Sequence, residues 1–335
     1  MDSAQQIAFD LKDRSSITLV KKEASRLAQK MTLSAKQLAE LDIIISEIST
    51  NLLKHAGGGE IILRGIVDGD TRAVEVLSID SGPGMSDPAR MIEDGVSTTG
   101  TLGQGLGAIK RLSDQFQIYS VPGWGTILMV RVFKQNPSKV NPFRYGIYPI
   151  VLPKPGEQYC GDLFSWKANA YFLKVMLADG LGHGILAQQA SEKAAEAFQK
   201  SLFNTPHQIL TDMHHQVKST RGLVATVGVY DLTAKTWQFC GIGNISTRLH
   251  DAISSKSYLP YNGIVGVNIP RHLESQTVKS EAGRHLVLCS DGVSSRWDAS
   301  KHIGAFRCDQ SILAAVIYKD FARHSDDTSV VVVKT

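Results

Sequence analysis

Four aspartates stand where strand-like stretches begin or end. Asp162 follows Cys160-Gly161, and Asp179 sits in Leu177-Ala178-Asp179-Gly180-Leu181-Gly182-His183-Gly184. Asp291 follows the stretch His285–Ser290, and Asp326 with Asp327 leads into Thr328–Val333. Carboxylates at strand ends with small neighbours suit hard divalent cations, a backbone carbonyl such as that of Gly180 and water completing the shell. Two such ions a few ångströms apart would acidify a bridging water and neutralise a phosphate under attack. Each Asp-Gly pair alone is turn vocabulary, and each aspartate alone reads as a cap. The fourfold recurrence of one placement points instead to a metal centre. No Cys-x5-Arg signature is present, so a cysteine-phosphate mechanism is not expected.

A second group of residues lies upstream. Glu47, Asn51 and His55 are spaced four apart and share a helix face. Such spacing ordinarily marks a solvated stripe, but the apolar residues of Asp42–Ser49 crowd the same region. Ile79-Asp80-Ser81-Gly82-Pro83-Gly84-Met85 then reads as a strand that ends on an acid and a glycine turn. Gly95–Gly107 closes on Gly103-Gln104-Gly105-Leu106-Gly107 at a helix start. Glycines let backbone N–H groups approach an anion, and a helix N-terminus adds its dipole. A lone GxGxG is weak; the three elements in this order are not.

These side chains need two sets of elements to position them. Ile7–Leu11 predicts a strand, and Ile17, Val20, Ala24, Leu27 and Met31 give Ser15–Met31 a helical period. Ser34–His55 reads as a second helix, stopped by Gly57 to Gly59. Strands follow at Glu60–Val67 and Ala73–Ile79, then a long loop over Asp80–Gly107, a helix from Gly105 to Leu112, and a hairpin of Phe116–Val121 with Thr126–Phe133. Lys134–Asn141 is polar and contains proline, as linkers do. Beyond it strands dominate: Gly146–Leu152, Cys160–Lys167, Tyr171–Ala178, Val224–Tyr230, Thr236–Gly241, Ser246–His250, His285–Ser290 and Thr328–Val333. Helices are expected near Ile185–Leu202, Pro206–Ser219 and Asp309–His324. The division is therefore 1–134, a linker 135–144, and 145–335.

Composition sets the class. At 335 residues the chain can hold two cores, and 43% hydrophobic with 20% charged residues is ordinary for a globular protein. No apolar run approaches a membrane span, and the first residues lack a signal peptide's basic and apolar regions. A net charge of +4 from dispersed Lys and Arg gives no nucleic-acid footprint. The four cysteines show no CxxC spacing and read as free thiols of a cytoplasmic protein.

The upstream residues resemble the GHKL (Bergerat-fold) ATP-binding domains, and more closely the anti-sigma-factor serine kinases, over Ile7 to Phe133. Glu47 and Asn51 match that family's N box, Asp80-Ser81-Gly82-Pro83-Gly84 its first glycine box, and Gly103-Gln104-Gly105-Leu106-Gly107 its second. The resemblance implies that Asn51 holds Mg²⁺ and that Asp80, supported by Thr126, reads the adenine amino group. Gly82, Gly84, Gly103, Gly105, Leu106 and Gly107 would line the nucleotide, and Glu47 would be the base that orients the acceptor hydroxyl. The Ser97-Thr98-Thr99-Gly100 lid is closest to kinases acting on a STAS domain rather than to those that also clamp a sigma factor.

From Tyr145 onward the chain resembles PP2C-like phosphatases of the SpoIIE type. Cys160-Gly161-Asp162, Asp179–Gly184, Gly241-Ile242-Gly243-Asn244, Ser290-Asp291-Gly292 and Asp326-Asp327-Thr328-Ser329 carry the match. By that resemblance Asp162, Asp179, the Gly180 carbonyl, Asp291 and Asp326 are the metal ligands, Asp162, Asp179 and Asp291 being catalytic through two Mn²⁺ or Mg²⁺ ions. Asp327 is less firmly assigned, and His183 reads as structural. Cys160 stands where the family has a small residue and is expected to tune oxidation sensitivity.

The implied fold class is α+β: a Bergerat-fold α/β sandwich followed by a PP2C-like α-β-β-α sandwich. The expected function is a bifunctional kinase and phosphatase. It would phosphorylate Ser or Thr of a STAS-domain regulator with Mg·ATP and hydrolyse the phosphoester, with a further partner-switching protein and a homodimer both compatible. No nucleic acid and no membrane are expected. The alternative is an ATP-binding docking module fused to an active phosphatase; Glu47 argues against it, because a binder needs no carboxylate there. A histidine-kinase remnant ranks last, since no helix bearing a phosphorylatable His precedes the domain.

Overall fold

The computed structural model describes residues 6–92, 105–135, 145–281 and 283–334. Within them the chain forms two compact units, one from 6–135 and 307–316, the other from 145–306 and 317–334.

The first unit opens with β1 (Ile7–Leu11), α1 (Ser15–Lys30) and α2 (Ala35–Asn51). Ser34 and Gln37 start α2 with a reciprocal capping box: Ser34 Oγ accepts from Gln37 N at 3.3 Å, and Gln37 Oε1 accepts from Ser34 N at 2.9 Å. The helix does not run to His55 as α-helix, as expected from sequence. It widens at Leu52–Ala56 into a π-helical turn that ends at Gly57 in the left-handed region. Next come β2 (Gly59–Asp68), β3 (Thr71–Ile79), the short α3 (Pro88–Met91), α4 (Gly105–Leu112), β4 (Gln115–Val121) and β5 (Gly125–Phe133). The strands form one antiparallel sheet in the order β1-β2-β3-β5-β4. Leu41, Ile44, Ile45 and Ile48 of α2 bury one stripe with Val20, Ala24 and Leu27 of α1, in one core with Ile61, Leu63, Val74, Val76 and Val130. Charges ladder across three strands of the same sheet. Arg64, Glu75 and Arg131 are register neighbours, all buried. Glu75 accepts from Arg131 Nε at 2.6 Å and lies 3.1 Å from Arg64. Asp309, from the 307–316 stretch of the same unit, takes the other end of Arg131 in two 2.8 Å bonds.

The second unit contains β6 (Gly146–Leu152), β7 (Asp162–Ala168), β8 (Phe172–Gly180), α5 (Ile185–Lys200), α6 (Pro206–Gln216), β9 (Leu223–Asp231), β10 (Thr236–Ile242), β11 (Ser246–His250), β12 (Ser255–Tyr258), β13 (Gln276–Lys279), β14 (His285–Cys289) and β15 (Thr328–Lys334). A helix over Gln310–Phe321, α7, begins in the 307–316 stretch of the first unit and precedes β15. Two antiparallel sheets form, ordered β13-β10-β9-β8-β7 and β12-β11-β14-β15-β6. Leu173, Val175 and Leu177 on one sheet share a core with Leu286, Leu288, Val331 and Val333 on the other. Met176, Ala178, Ala225 and Val227, on the alternate face, share a second core with Ala190, Ala194 and Phe198 of α5 and Ile209, Leu210 and Met213 of α6. The mixed α+β class expected from sequence is thus the class observed.

Candidate active sites

In the first unit α2 carries Glu47 and Asn51 one turn apart, both half-buried. His55 falls in the π turn and is exposed, so it does not extend their stripe. The N-terminus of α4 arrives at this point. A Cβ added to Gly105 would lie 3.1 Å from Glu47 Oε2 and 3.6 Å from Asn51 Oδ1, so the helix start comes within contact of both side chains and a larger residue would crowd Glu47. Leu106 packs on the core and Gly107 is buried. Gly103 and the Ser97–Gly100 lid lie outside the described residues.

The glycine turn after β3 is built around Asp80. Its Oδ1 accepts from Gly82 N at 2.8 Å and from Thr126 N at 3.1 Å, while Asp80 N donates to the Thr126 carbonyl at 2.9 Å. Thr126 Oγ1 meets Ser120 Oγ at 2.9 Å, and Ser120 Oγ accepts from Met85 N at 2.8 Å. Gly84 has φ 69°, and a Cβ there would stand 2.1 Å from the Val121 carbonyl oxygen. Asp80, Gly82, Gly84 and Thr126 are thereby locked together.

In the second unit Asp162 opens β7 and Asp179 is the penultimate residue of β8, one position beyond the strand end expected from sequence. The two are direct cross-strand partners. Like charges opposite one another destabilise a ladder, and among the described residues no Lys or Arg forms an ion pair with either. Burial raises both carboxyls well above the ordinary range. Asp327 and Asp291 push Asp162 up further, against the lowering effect of two serines; Asp162, Asp291 and Asp326 do the same to Asp179.

Asp162, Asp291, Asp326 and Asp327 are each tied by their own donors. Asp162 Oδ2 accepts from Ser290 Oγ at 2.6 Å and from Ser329 Oγ at 2.8 Å. Its Oδ1 is buried without a hydrogen-bond partner. Asp291 Oδ2 accepts from Asn244 Nδ2 at 3.0 Å, and Asp326 Oδ1 from Asp327 N at 2.9 Å. Asp327 accepts from Lys154 N at 2.7 Å and Gly161 N at 2.6 Å, which pins the Cys160-Gly161-Asp162 turn. Gly180 N donates to the Gly161 carbonyl at 3.1 Å. A Cβ on Gly180 would stand 2.2 Å from the Ala187 carbonyl oxygen, so α5 rests directly on the strand end.

The full convergence expected from sequence is not formed as a grip of side chains: among the described residues no three His, Cys, Asp or Glu could hold one ion together. The set nevertheless fits a hard cation, because Asp162 offers an unpartnered buried oxygen opposite Asp179 and the acids lack a cation. An ion of the Mg²⁺ kind keeps several waters and needs only one or two carboxylates directly.

All four cysteines are free. Burial, then Asp162 and Asp327, push the Cys160 thiol far up, a direction that disfavours the reactive thiolate. His183 is exposed and pairs through Nδ1 with Glu157 Oε1 at 3.0 Å, joining two loops. Sequence reasoning missed Ser290 and Ser329 as the donors that hold Asp162. The only signal was their position beside Asp291 and Thr328, which does not distinguish a donor from a strand residue.

Comparison with known proteins follows the same division. Residues 12–132 match the histidine kinase-like ATPase domain, and residues 172–335 match stage II sporulation protein E (SpoIIE). The serine/threonine-protein kinase RsbT of Bacillus subtilis (strain 168) is 36% identical over 100 residues, covering 30% of this chain and 75% of RsbT. The phosphoserine phosphatase RsbX of the same organism is 27% identical over 144 residues, covering 43% of this chain and 72% of RsbX. A solved structure described as belonging to the bacterial stressosome, a modular system adapted to control secondary messenger signalling, superposes with a TM-score of 0.53 at 26% identity. It covers 57% of this chain and 100% of its own. The chain therefore belongs to both families at once, its N-terminal part to the RsbT-like histidine kinase-like ATPases and its C-terminal part to the PP2C-like phosphatases of the SpoIIE and RsbX kind.

Proposed function

We propose that this chain is a bifunctional switch enzyme that both writes and erases phosphate on a partner-switching regulator. Residues 1–134 would form the kinase domain, 135–144 the linker and 145–335 the phosphatase domain. The observation that carries the kinase half is the seating of Gly105 against Glu47 and Asn51. It supports a carboxylate beside the N–H-rich start of α4, where phosphoryl transfer needs one and nucleotide binding alone does not.

In this reading Asn51 would hold Mg²⁺, and Asp80 with Thr126 would read the adenine. Gly82, Gly84, Gly103, Gly105, Leu106 and Gly107 would line the nucleotide. Glu47 would accept the proton of the attacking Ser or Thr hydroxyl. The acceptor class is a STAS-domain protein, a proposal that the likeness to RsbT and to a stressosome structure supports. A further partner-switching protein or a homodimer is compatible.

The phosphatase half would place Asp162, Asp179, the Gly180 carbonyl, Asp291 and Asp326 around two Mn²⁺ or Mg²⁺ ions. Bound there, the ions would neutralise the phosphoryl group and make a water acidic enough to attack at neutral pH. The chain's own residues do the holding: Ser290 and Ser329 fix Asp162, Asn244 fixes Asp291, and Asp327 anchors the turn before β7. The four free cysteines support a reducing, cytoplasmic setting.

The test separates the two activities. Glu47→Ala should lower phosphate transfer by roughly 10²–10⁴-fold with ATP binding kept, and Asp179→Ala should abolish hydrolysis alone. Loss of both activities from either change would contradict two independent sites, and transfer unaffected by Glu47→Ala would remove its assigned role.

A further inference from the structure

The loop before β9 brings a cation to the candidate phosphatase site. Asp179 and Gly180 pair with Val224 and Leu223 across the ladder, and Leu181 N donates to the Gly222 carbonyl at 3.2 Å. Arg221 therefore stands beside the turn that leaves Asp179. Its Nη1 lies 3.0 Å from the point a Cβ on Gly182 would occupy, and Gly182 has φ 81°. The side chain is exposed, and among the described residues its guanidinium makes no hydrogen bond and no ion pair, although five aspartates crowd the neighbouring strand ends.

An unpaired guanidinium at the rim of an acidic site has a chemical use. The phosphoryl dianion of the substrate must approach carboxylates that repel it. Arg offers five N–H donors in a planar fork that matches two phosphate oxygens at once, and it keeps its charge at any working pH. Three other cations of this unit are engaged elsewhere: Lys167 and Lys174 donate to carbonyls at the end of α5 and beyond, and Arg248 to the carbonyls of Ser295 and Trp297. Gly182 leaves room beside the fork, since Arg221 Nη1 is the one atom within 4 Å of the point its Cβ would occupy, while Gly222, with φ 86°, packs against Ile264 and Val267.

We propose that Arg221 is the residue that binds the phosphoryl group of the phosphoserine or phosphothreonine substrate at the phosphatase site. The assignment rests on the phosphatase reading above. It goes beyond the metal ligands by naming a contact that sets affinity for the dianion while the aspartates set turnover.

The experiment uses the full chain with Mn²⁺, comparing the parent with Arg221→Ala and Arg221→Lys. Turnover of p-nitrophenyl phosphate is measured alongside direct calorimetric binding of inorganic phosphate. Arg221→Ala should raise KM and weaken phosphate binding by the same factor, roughly ten- to hundredfold, with kcat within about twofold and the melting temperature unchanged. Arg221→Lys should recover part of the affinity, because a point charge replaces the fork. Equal phosphate binding by parent and Arg221→Ala would overturn the assignment, whatever the turnover. Phosphate binding that depends on Arg221 in a parent that hydrolyses no phosphomonoester would keep the anion site and overturn the phosphatase reading instead.

Discussion

At the scale of single residues the account turns on Asp162 facing Asp179. A carboxyl whose pKa is raised on folding contributes stability when protonated at low pH, and that contribution is lost as pH rises from the unfolded value of 3.8 through the folded one. In EDTA, Asp179→Asn should therefore melt higher than the parent, by an amount that grows with pH. Mg²⁺ or Mn²⁺ should reverse the order, since an ion that binds only the native state stabilises it by mass action. Melting curves at several pH values, with and without metal, read both effects. A variant less stable than the parent in EDTA at pH 8 would contradict the facing-carboxylate picture. The aspartates were legible in the sequence as strand-end acids beside glycine. Their cross-strand register was not, because pairing is set by which strands meet. The donors Ser290 and Ser329 were hidden for the same reason, as was the nearness of Arg221 to Gly182.

At the scale of elements, two close approaches hold the sites in place. Gly180→Ala would drive a Cβ to within 2.2 Å of the Ala187 carbonyl oxygen, so β8 and α5 must part. Overpacking of this kind costs roughly 1–3 kcal/mol; the melting temperature should fall by several degrees and hydrolysis should drop with it, while ATP binding is unaffected. The charge ladder on the first unit's sheet gives a second case. Glu75→Ala would leave Arg64 and Arg131 buried without their shared carboxylate. Breaking a buried pair in this way costs about 3–5 kcal/mol, which a denaturation curve of the full chain would register in its first unit. Most long elements were readable from periodicity, α1 and α2 from their apolar stripes and β15 from its run of valines. The π turn at Leu52–Ala56 was not, since its residues suit an α-helix equally well. Nor were β12 and β13, four-residue edge strands with largely polar sequences that lack an apolar period.

At the scale of the whole molecule, acid should act through buried histidines. His285 is pushed down to about 4 and His250 is also lowered, both chiefly by burial. Each of these histidines then binds fewer protons in the native chain than in the unfolded one below the ordinary value of 6.5, so their contribution to stability falls as pH drops from there toward 4, opposite in sign to that of metal-free Asp162 and Asp179. Replacing His285 by Phe should flatten that part of the pH–stability curve, and an unchanged slope would show that other groups control it. Two phosphate sites of opposite sense in one polypeptide would let the chain set the phosphorylation level of a switch by itself. That claim has a direct measurement: labelled ATP, Mg²⁺ and Mn²⁺, a STAS-domain acceptor, and the parent beside Asp179→Ala. The account predicts label that persists on the acceptor with Asp179→Ala and is depleted with the parent. Absence of label with either protein, although both bind ATP, would contradict it and leave the upstream unit a binding module.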